Sequence, residues 1–371
     1  MEHLNIILTG VTGVLGGRIL KQGLENSNLV FWILIRSNKK NSITERWNNI
    51  VDFYKLSERA IKRVHIIEAD LLKDPWEAVE KKMEEVGEKK IDGIIHSAGD
   101  VNMAKPLEQA LEESRGIFNS VFRIAELSPD RPKIDFVSTV GVAGHVKGDV
   151  PESWIENKRS FRNTYEHSKA EAELFLRKKA EEGWKITVHR PSMIVGHSET
   201  GENTSFQVFY HLCDFLSGKF TFGFLPDTRG FVLDTVPVDY VAKVVLWSHL
   251  TEQAQGLIMH ESSSRASISI NELRKLAYTK FQQAKIPLRS QKILPLPLFK
   301  LFIKFIKLFV NQKTKRRLDT LGYFFAYMKD QQCFSNTKTL DILKTSDIHL
   351  PEPTSYLAKQ IEYFISKKTD A

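Results

Sequence analysis

Short apolar runs alternate with amphipathic stretches through the first half of the chain. The stretches repeat apolar residues at helical spacing, as in Leu15–Leu24, Pro106–Leu127 and Glu166–Glu181. The runs between them are rich in β-branched and aromatic residues and predict strands. Strands that alternate with helices predict a parallel sheet covered on both faces, so we expect a Rossmann-type, doubly wound α/β fold. The predicted strands are Asn5–Leu8, Val30–Ile35, Val64–Glu68, Gly93–His96, Asp135–Ser138 and Lys185–Val188.

The alternation loosens after residue 196, which predicts a second, smaller region. A polar loop at His197–Ser205 precedes an aromatic segment, Phe206–Phe224, and one more strand is expected at Gly256–His260. Beyond Ser262 the pattern is mostly helical. We therefore predict an NADP-binding domain over residues 1–196, to which residues 231–262 return, and a mostly helical substrate-binding cap formed by residues 197–230 and 263–371.

Composition indicates the class of protein but not its activity. Hydrophobic residues make up 42% and charged residues 26% of the 371 positions, which is typical of a globular chain with a large core. The net charge of +8 mildly favours anionic ligands or surfaces, but no nucleic-acid recognition motif accompanies it. The two Cys residues show neither zinc spacing nor a disulfide framework. We therefore expect no metal and no nucleic acid as partners.

A glycine-rich segment directly follows the first predicted strand. From residue 9 it reads Thr-Gly-Val-Thr-Gly-Val-Leu-Gly-Gly. Glycines at a strand-to-helix turn permit a tight backbone and close approach of a pyrophosphate, which the N–H groups of the helix start then bind. A glycine triplet alone can be a structural turn, but the flanking strand and helix favour a dinucleotide site. The predicted contacts are Thr9, Gly10, Thr12, Gly13, Val14, Leu15 and Gly16.

The end of the second strand predicts which dinucleotide binds. An acid there accepts from the ribose 2′-hydroxyl of NAD, whereas an Arg accommodates the 2′-phosphate of NADP. Arg36 occupies this position, with Lys residues close behind it and no acid nearby in the sequence. This favours NADP, although an ordinary solvated basic loop has the same composition. Asp70, followed by Leu71 after the third strand, is a candidate for contact with the adenine edge or else a helix cap.

Tyr165 and Lys169 are four residues apart, so a helix brings them to one face. A nearby ammonium stabilises a phenolate, which predicts a lowered Tyr165 pKa and a usable acid for a carbonyl oxygen that becomes negative as hydride arrives. Lys169 can also hold the nicotinamide ribose. Such a pair alone is common on surface helices, but the preceding glycine loop favours catalysis. Of Ser138 and Thr139, which end the fifth strand, we select Thr139 to bind the same oxygen.

These motifs resemble the extended short-chain dehydrogenase/reductase superfamily over about residues 4–260. The segments that carry this resemblance are Thr9–Gly17, Asp70-Leu71, His96–Gly99, Ser138-Thr139, Tyr165–Lys169 and His189–Gly196. Within the superfamily, the chain looks most like fatty acyl-CoA reductases and the thioester reductase domains of carboxylic acid reductases and peptide synthetases. That narrower resemblance is carried by Ser138–Ala143, Asp234–Val241 and Cys333–Leu340.

The resemblance implies that Thr139, Tyr165 and Lys169 are catalytic and that NADPH is held by the glycine loop and Arg36. The family usually has an Asn on the helix after residue 107, where this chain has Ser114, so an Asn-mediated proton relay does not carry over. Thr164 also stands where the narrower group usually has a Gly before the Tyr. The further cofactor contacts that the resemblance implies are Ser97, Ala98, Gly99, Pro191 and Ser192.

The implied activity is NADPH-dependent reduction of a fatty acyl thioester, on CoA or acyl carrier protein, to the aldehyde and, with a second hydride, to the alcohol. Alternatives on the same scaffold are an NADP-dependent hydroxysteroid dehydrogenase and a nucleotide-sugar epimerase or reductase. A dinucleotide-sensing regulatory protein is a third class, which the intact Tyr165 and Lys169 disfavour. The substrate cap is expected to come from the aromatic segment and the C-terminal helices.

Residues Leu298–Val310 combine a long apolar surface with Lys300, Lys304 and Lys307 on one helical face. Such a helix is too short and too charged to span a membrane. It predicts either peripheral contact with an anionic membrane surface or a cap helix that covers the acyl site or a dimer partner. No signal-peptide pattern is visible, so we expect a cytoplasmic protein. Peripheral attachment to a membrane through this helix is the alternative that stays open. Further basic residues follow at Lys313, Lys315, Arg316 and Arg317.

Overall fold

The computed structural model describes residues 3–73, 75–103, 105–206, 208–310, 312, 315, 318 and 332–369. The strands in this part of the chain are β1 (Leu4–Thr9), β2 (Leu29–Ile35), β3 (Val64–Glu68), β4 (Gly93–His96), β5 (Lys133–Val137), β6 (Gly148–Val150), β7 (Ile186–His189), β8 (Met193–Val195), β9 (Phe224–Pro226), β10 (Val232–Leu233), β11 (Thr235–Pro237), β12 (Ile258–Met259), β13 (Ile268–Ser269), β14 (Lys292–Leu294) and β15 (Gln332–Phe334).

The α-helices are α1 (Val14–Gly23), α2 (Ile43–Tyr54), α3 (Glu58–Ile61), α4 (Pro75–Val86), α5 (Leu107–Ala125), α6 (Thr164–Glu181), α7 (Val208–Leu216), α8 (Val238–Leu250), α9 (Ile270–Gln283), α10 (Leu296–Ile306), α11 (Thr337–Leu343) and α12 (Pro353–Thr369). Short 3-10 helices cover Val140–Ala143, Lys219–Thr221, Glu252–Ala254 and Ser264–Ala266. No helix among the described residues is both long and apolar enough to cross a membrane.

A parallel sheet of seven strands forms the centre of the described chain, in the order β12-β7-β5-β4-β1-β2-β3. Ile6 and Leu8 of β1 point into the core under α1, α2 and α8. Ile7 points into the opposite core, under α4, α5 and α6. The sheet is therefore buried on both faces, as parallel sheets are, and the predicted doubly wound Rossmann fold is confirmed. Strand order reverses between β1 and β4, so their carboxyl ends form a topological switch point.

Local capping explains where two of these helices begin. Asn163 precedes α6, and its side chain accepts from the Glu166 N–H at 2.9 Å, which places Tyr165 in the first turn. Ser42 and Glu45 form a capping box at the start of α2, so the helix begins shortly after the loop that ends β2. These two helix starts lie on either side of the switch point.

A second hydrophobic core lies between α7, α9, α10 and α12. The predicted aromatic segment contributes Phe209 and Phe215 to it, and α10 contributes Phe299. The helix predicted over residues 298–310 starts two residues earlier and ends at Ile306, because the chain tightens there into turns such as the one closed by the Phe309 N–H and the Ile306 carbonyl at 2.9 Å. The proposed division into two domains stays a prediction. Of the basic residues that follow, Lys313, Arg316 and Arg317 lie outside the described residues.

The C-terminal part of the chain packs back against the first half of the fold. Strand β15 pairs with β6 in parallel, and α11 follows it. The Glu152 carboxylate accepts from the backbone N–H groups of Lys338 at 2.6 Å and Thr339 at 3.0 Å, so it caps α11. Ile348 and Leu350 then pack against the core under α1 and α8.

Candidate active site

The glycine-rich loop lies at the switch point, between β1 and α1. Gly10 has a φ of +76°, and a Cβ there would lie 2.6 Å from the Ala98 nitrogen, so only glycine fits against the loop after β4. A Cβ on Gly16 would lie 2.2 Å from the Gly10 carbonyl oxygen. A Cβ on Gly13, by contrast, would meet only that same oxygen, at 3.2 Å. Gly10 and Gly16 therefore shape the loop, while Gly13 leaves space in front of it.

The start of α1 provides N–H groups for an anion. Gly13 is the N-cap residue, and no side chain in the described part of the chain caps it. The first-turn residues Val14, Leu15 and Gly16 follow with their N–H groups at the positive end of the helix dipole. This cradle fits the pyrophosphate of a dinucleotide, as the sequence predicts.

Thr9 and the residues after β4 hold the cradle in place. The buried Thr9 Oγ1 lies 2.9 Å from His96 Nδ1 and accepts from the Ala98 N–H at 3.3 Å. Ser97 Oγ donates to the Thr9 carbonyl at 2.8 Å. Thr9 and Ser97 thus use their side chains to join the two loops. Gly99 lies at the other end of the site, where a Cβ would be 3.2 Å from Lys169 Nζ.

Two arginines meet beside the glycine loop, and the sequence reasoning found only one of them. Arg36 Nη1 lies 3.3 Å from Asp70 Oδ2, so the acid that is absent near Arg36 in the sequence comes from the loop after β3. Asp70 also accepts from the Leu72 N–H at 3.2 Å. Arg46, on α2, donates to Thr12 Oγ1 at 2.7 Å and to the Arg36 carbonyl. Partial burial, and then the charge of Arg36, lower the pKa of Arg46.

The hydroxyl of Thr139 lies close enough to Tyr165 to lower the pKa of the phenol. Thr139 Oγ1 also accepts from the Gly141 N–H at 3.1 Å, which starts the 3-10 helix after β5. The Ser138 hydroxyl is buried and donates to Glu173 Oε1 at 2.5 Å instead. The structure therefore brings Thr139, rather than Ser138, to the predicted acid.

The pKa of Tyr165 differs in direction from the sequence prediction. Burial raises it to about 12, and the nearby Thr139 hydroxyl offsets this only in part. The Lys169 ammonium does not lower it, because Nζ donates to the Val137 carbonyl at 2.9 Å. Tyr165 consequently keeps its proton at neutral pH and can act as a donor.

Lys169 extends from α6 to the end of β5. Burial lowers the pKa of Lys169 to about 8, while the carboxylate of Glu173 opposes the shift. Its ammonium lies 4.7 Å from the centre of the Phe136 ring. Ser114, the residue in place of the family's Asn, donates to the Ser168 carbonyl at 3.5 Å. A cavity of about 40 Å³ lies among Lys169, Ser114 and neighbouring residues.

A buried ion pair that the sequence reasoning missed supports these residues. Arg190 is fully buried and donates from Nη2 to Glu173 Oε2 at 2.5 Å and from Nη1 to the Ser153 carbonyl at 3.0 Å. Glu173 lies one turn after Lys169 on α6 and also binds Ser138. The pair therefore joins α6 to the end of β7, and the bond from Ser138 joins Glu173 to the end of β5. The next two residues also form backbone hydrogen bonds. The Pro191 carbonyl accepts from the Val140 N–H at 3.1 Å. The buried Ser192 donates its N–H to the Glu261 carbonyl at 2.8 Å.

The C-terminal strand also contacts the turn before Tyr165. Arg162 Nη1 lies 3.3 Å from Glu166 Oε1, and both side chains are almost fully buried. Arg162 Nη2 donates to Gln332 Oε1 at 2.6 Å, and Gln332 Nε2 donates to the Gly144 carbonyl at 2.9 Å. Nothing near Gln332 in the sequence marks this contact, because its partners are more than 150 residues away.

A cleft of about 910 Å³ lies outside this site. Its lining residues include Asp149, Arg265, Cys333 and Lys344, and none of the predicted catalytic residues lines it. Among the residues that the structure describes, no group of three or more His, Cys, Asp or Glu side chains could hold a metal ion.

Comparisons with known proteins agree with the fold and the motifs. The chain matches the family model for the Male sterility protein over residues 8–245. It is 25% identical over 259 residues to the glycine betaine reductase of Emericella nidulans, which covers 67% of this chain and 20% of the relative. The chain thus spans about a fifth of that relative's length.

Two solved structures share the fold over the whole chain. The terminal R domain of the myxalamid PKS-NRPS pathway superposes with a TM-score of 0.81 at 20% identity and covers 100% of this chain and 92% of that one. A thiolation-reductase di-domain from an archaeal non-ribosomal peptide synthetase gives a TM-score of 0.77 at 18% identity, with 100% and 76% covered. The family match spans the glycine loop, Thr139, Tyr165 and Lys169. The chain belongs to the Male sterility protein family, a nucleotide-cofactor-binding family of oxidoreductases of the extended short-chain dehydrogenase/reductase type.

Proposed function

We propose that this chain is an NADPH-dependent reductase of acyl thioesters. The observation that carries the proposal is the position of three side chains at the carboxyl edge of the sheet beside the glycine cradle: Tyr165, the neighbouring Thr139, and Lys169. A protonated phenol and a second hydroxyl at such an edge suit a carbonyl oxygen that gains negative charge.

Preference for NADPH is supported by the two arginines beside Thr12. Arg36 and Arg46 approach each other, and Asp70 forms an ion pair with Arg36. The carboxylate of Asp100 also lies within electrostatic reach of Arg36. A phosphate between the two arginines would form charge-assisted hydrogen bonds that NADH cannot form. The bound cofactor supplies the hydride of the reaction.

The protein's own residues then act on the thioester carbonyl. Tyr165 donates its proton to the carbonyl oxygen while the carbon accepts the hydride, and Thr139 hydrogen-bonds the same oxygen. The product of this step is a hemithioacetal. Its C–S bond then breaks, the sulfur leaves as the thiol with a proton, and the carbonyl of the aldehyde forms. Lys169 orients the ribose.

A fatty acyl group on CoA or on an acyl carrier protein is the proposed substrate. The thiolation-reductase di-domain among the similar structures supports a thioester on a phosphopantetheine thiol as the incoming group. The second core, with its many aromatic residues, supports an apolar acyl chain. A second round of hydride and proton transfer on the aldehyde would give the alcohol.

A direct test uses the purified protein with NADPH and a series of acyl-CoA and acyl-pantetheine thioesters of increasing chain length. Products are identified by mass spectrometry. We expect aldehyde or alcohol, with a chain-length optimum and free thiol. Reversible oxidation of a secondary alcohol without thiol release would instead favour a hydroxysteroid dehydrogenase, and cofactor binding without turnover of any substrate would favour a sensor.

A further inference from the structure

One surface of the described chain exposes an unusual number of large apolar side chains. Helix α10 and the turn after it expose Leu301 by 65%, Phe305 by 60% and both Leu308 and Phe309 by 74%. Leu298 on the same helix and Ile293 on the preceding β14 are also exposed. We call this set the α10 surface: Ile293, Leu298, Leu301, Phe305, Leu308 and Phe309.

The residues of α10 divide into three stripes. Phe299, Ile303 and Ile306 form the buried stripe, which packs into the second core. The exposed apolar residues form a second stripe, because they are spaced three, four, three and one positions apart along the chain. They are Leu298, Leu301, Phe305, Leu308 and Phe309. Lys300, Lys304 and Lys307 form the third stripe. The helix is therefore anchored to the protein on one side, and its apolar side chains project beyond the fold rather than covering the second core.

The surrounding sequence is strongly basic. Residues 273–310 contain no Asp or Glu. Lys280 is paired with Glu362 on α12, at 2.7 Å. Arg289 lies with its guanidinium 5.0 Å from the centre of the exposed Phe222 ring, close to β9 and β14. The cations of the segment are Arg274, Lys275, Lys280, Lys285, Arg289, Lys292, Lys300, Lys304 and Lys307.

We infer that the α10 surface docks on the interface of an anionic lipid bilayer, with Leu301, Phe305, Leu308 and Phe309 in the acyl boundary and the lysines at the headgroups. Aromatic and Leu side chains on one face of a Lys-rich helix are what such interfaces bind. A second copy of this chain would bring two surfaces of the same charge together. Protein interfaces, moreover, are depleted in Lys, whereas here a stripe of three lysines runs directly beside the exposed apolar stripe.

The test is co-sedimentation of the full chain with vesicles of phosphatidylcholine alone or with added phosphatidylserine. We expect wild-type protein to pellet with the anionic vesicles and much less with the neutral ones, more strongly at low salt. The triple variant Leu301→Ser/Phe305→Ser/Phe309→Ser should bind at least roughly tenfold more weakly, because interfacial affinity grows with buried apolar area. These side chains are exposed, so the variant should fold.

A matched control replaces three exposed apolar residues elsewhere, Leu174→Ser/Val232→Ser/Leu250→Ser, and should bind anionic vesicles like wild type. Lys300→Gln/Lys304→Gln should weaken binding to anionic but not to neutral vesicles. Wild-type protein that stays in the supernatant at low salt would overturn the inference. Equal binding of wild type and the serine triple variant to anionic vesicles would also overturn it. A third contradicting result is light scattering that shows a dimer for the wild type and a monomer for the triple variant. None of these measurements depends on reductase activity.

Discussion

At the scale of single residues, the proposed reaction depends on the hydroxyl of Tyr165. Replacing it by Phe keeps the ring in its packed position and removes only the proton donor. We expect Tyr165→Phe to lower thioester reduction by roughly 10²-fold or more, with NADPH affinity little changed. The measurement is steady-state kinetics together with cofactor titration. Tyr363→Phe, on α12, is the matched control and should keep full activity; near-normal turnover of Tyr165→Phe would remove this residue from the mechanism.

The two arginines beside Thr12 make a second prediction at this scale. Arg36→Ala and Arg46→Ala should each weaken NADPH binding by roughly tenfold or more and leave NADH binding almost unchanged, because only the 2′-phosphate forms the charge-assisted contact. Lys40→Ala, also on the loop after β2, is the control. Binding is measured by fluorescence titration with both cofactors. Equal losses for NADPH and NADH, or a wild-type preference for NADH, would contradict the assignment.

Single residues also show what a sequence can and cannot predict. The positions of Tyr165 and Lys169 follow from helical spacing, and the structure places them together with Thr139. The direction of the Tyr165 pKa does not follow, because it depends on how deeply the ring is buried and on where the Lys169 ammonium points. Arg46 was missed for a related reason: its contact with Thr12 requires the packing of α2 beside the glycine loop, which no local pattern encodes.

At the scale of secondary-structure elements, a buried charge network joins β5, β7 and the end of β12. His189 lies between two carboxylates, with Nε2 3.0 Å from Asp135 Oδ1 and Nδ1 2.7 Å from Glu261 Oε1. All three side chains are fully buried. Burial alone would lower the pKa of His189, but Glu261 and Asp135 together raise it to about 9. The protonated imidazole therefore holds three strands together.

This network predicts a loss of stability at alkaline pH. The folded-state pKa of His189 lies above its ordinary value of 6.5, so its contribution is complete below that value and is lost as the pH rises through about 9. We expect the free energy of unfolding in urea to fall over that window. His189→Gln should flatten the dependence and cost roughly 3–5 kcal/mol at neutral pH, because buried Glu261 loses its charged partner, while Asp135 is left with His249 and Ser248.

The exposed His211→Gln on α7 is the control for the network and should keep the wild-type pH profile. Parallel curves for wild type and His189→Gln would show that His189 does not carry the dependence. No sequence pattern indicates this network. Asp135 lies on a predicted strand, whereas His189 and Glu261 directly follow the predicted strands Lys185–Val188 and Gly256–His260. The apolar pattern does not predict their pairing, because it depends on strand order.

At the scale of the whole molecule, strand β15 near the C-terminus contacts the turn that precedes α6. Gln332→Ala removes the contacts of β15 with Arg162 and Gly144. Because the turn before Tyr165 would lose this support, we expect kcat to fall by roughly tenfold while KM for NADPH stays near the wild-type value. The exposed Gln283→Ala on α9 is the control. An unchanged kcat, or an equal loss of cofactor affinity, would show that β15 does not position the catalytic turn.

The overall architecture was predictable because alternating strands and helices specify a doubly wound sheet. The extent of the second core and the packing of the C-terminal chain were harder to predict from the sequence, because short strands such as β6 and β15 have no periodic pattern of their own. They form through pairing between distant segments. The same holds for the Glu152 cap on α11.

Thioester reduction is tested most directly by following NADPH oxidation and free thiol together in one reaction. The protein is mixed with NADPH and a long-chain acyl-CoA, and the aldehyde or alcohol is identified by mass spectrometry. We predict one thiol for each thioester consumed, one or two NADPH oxidised for aldehyde or alcohol respectively, and loss of all three signals in Tyr165→Phe. NADPH oxidation without thiol, or thiol release that continues without NADPH, would contradict the account.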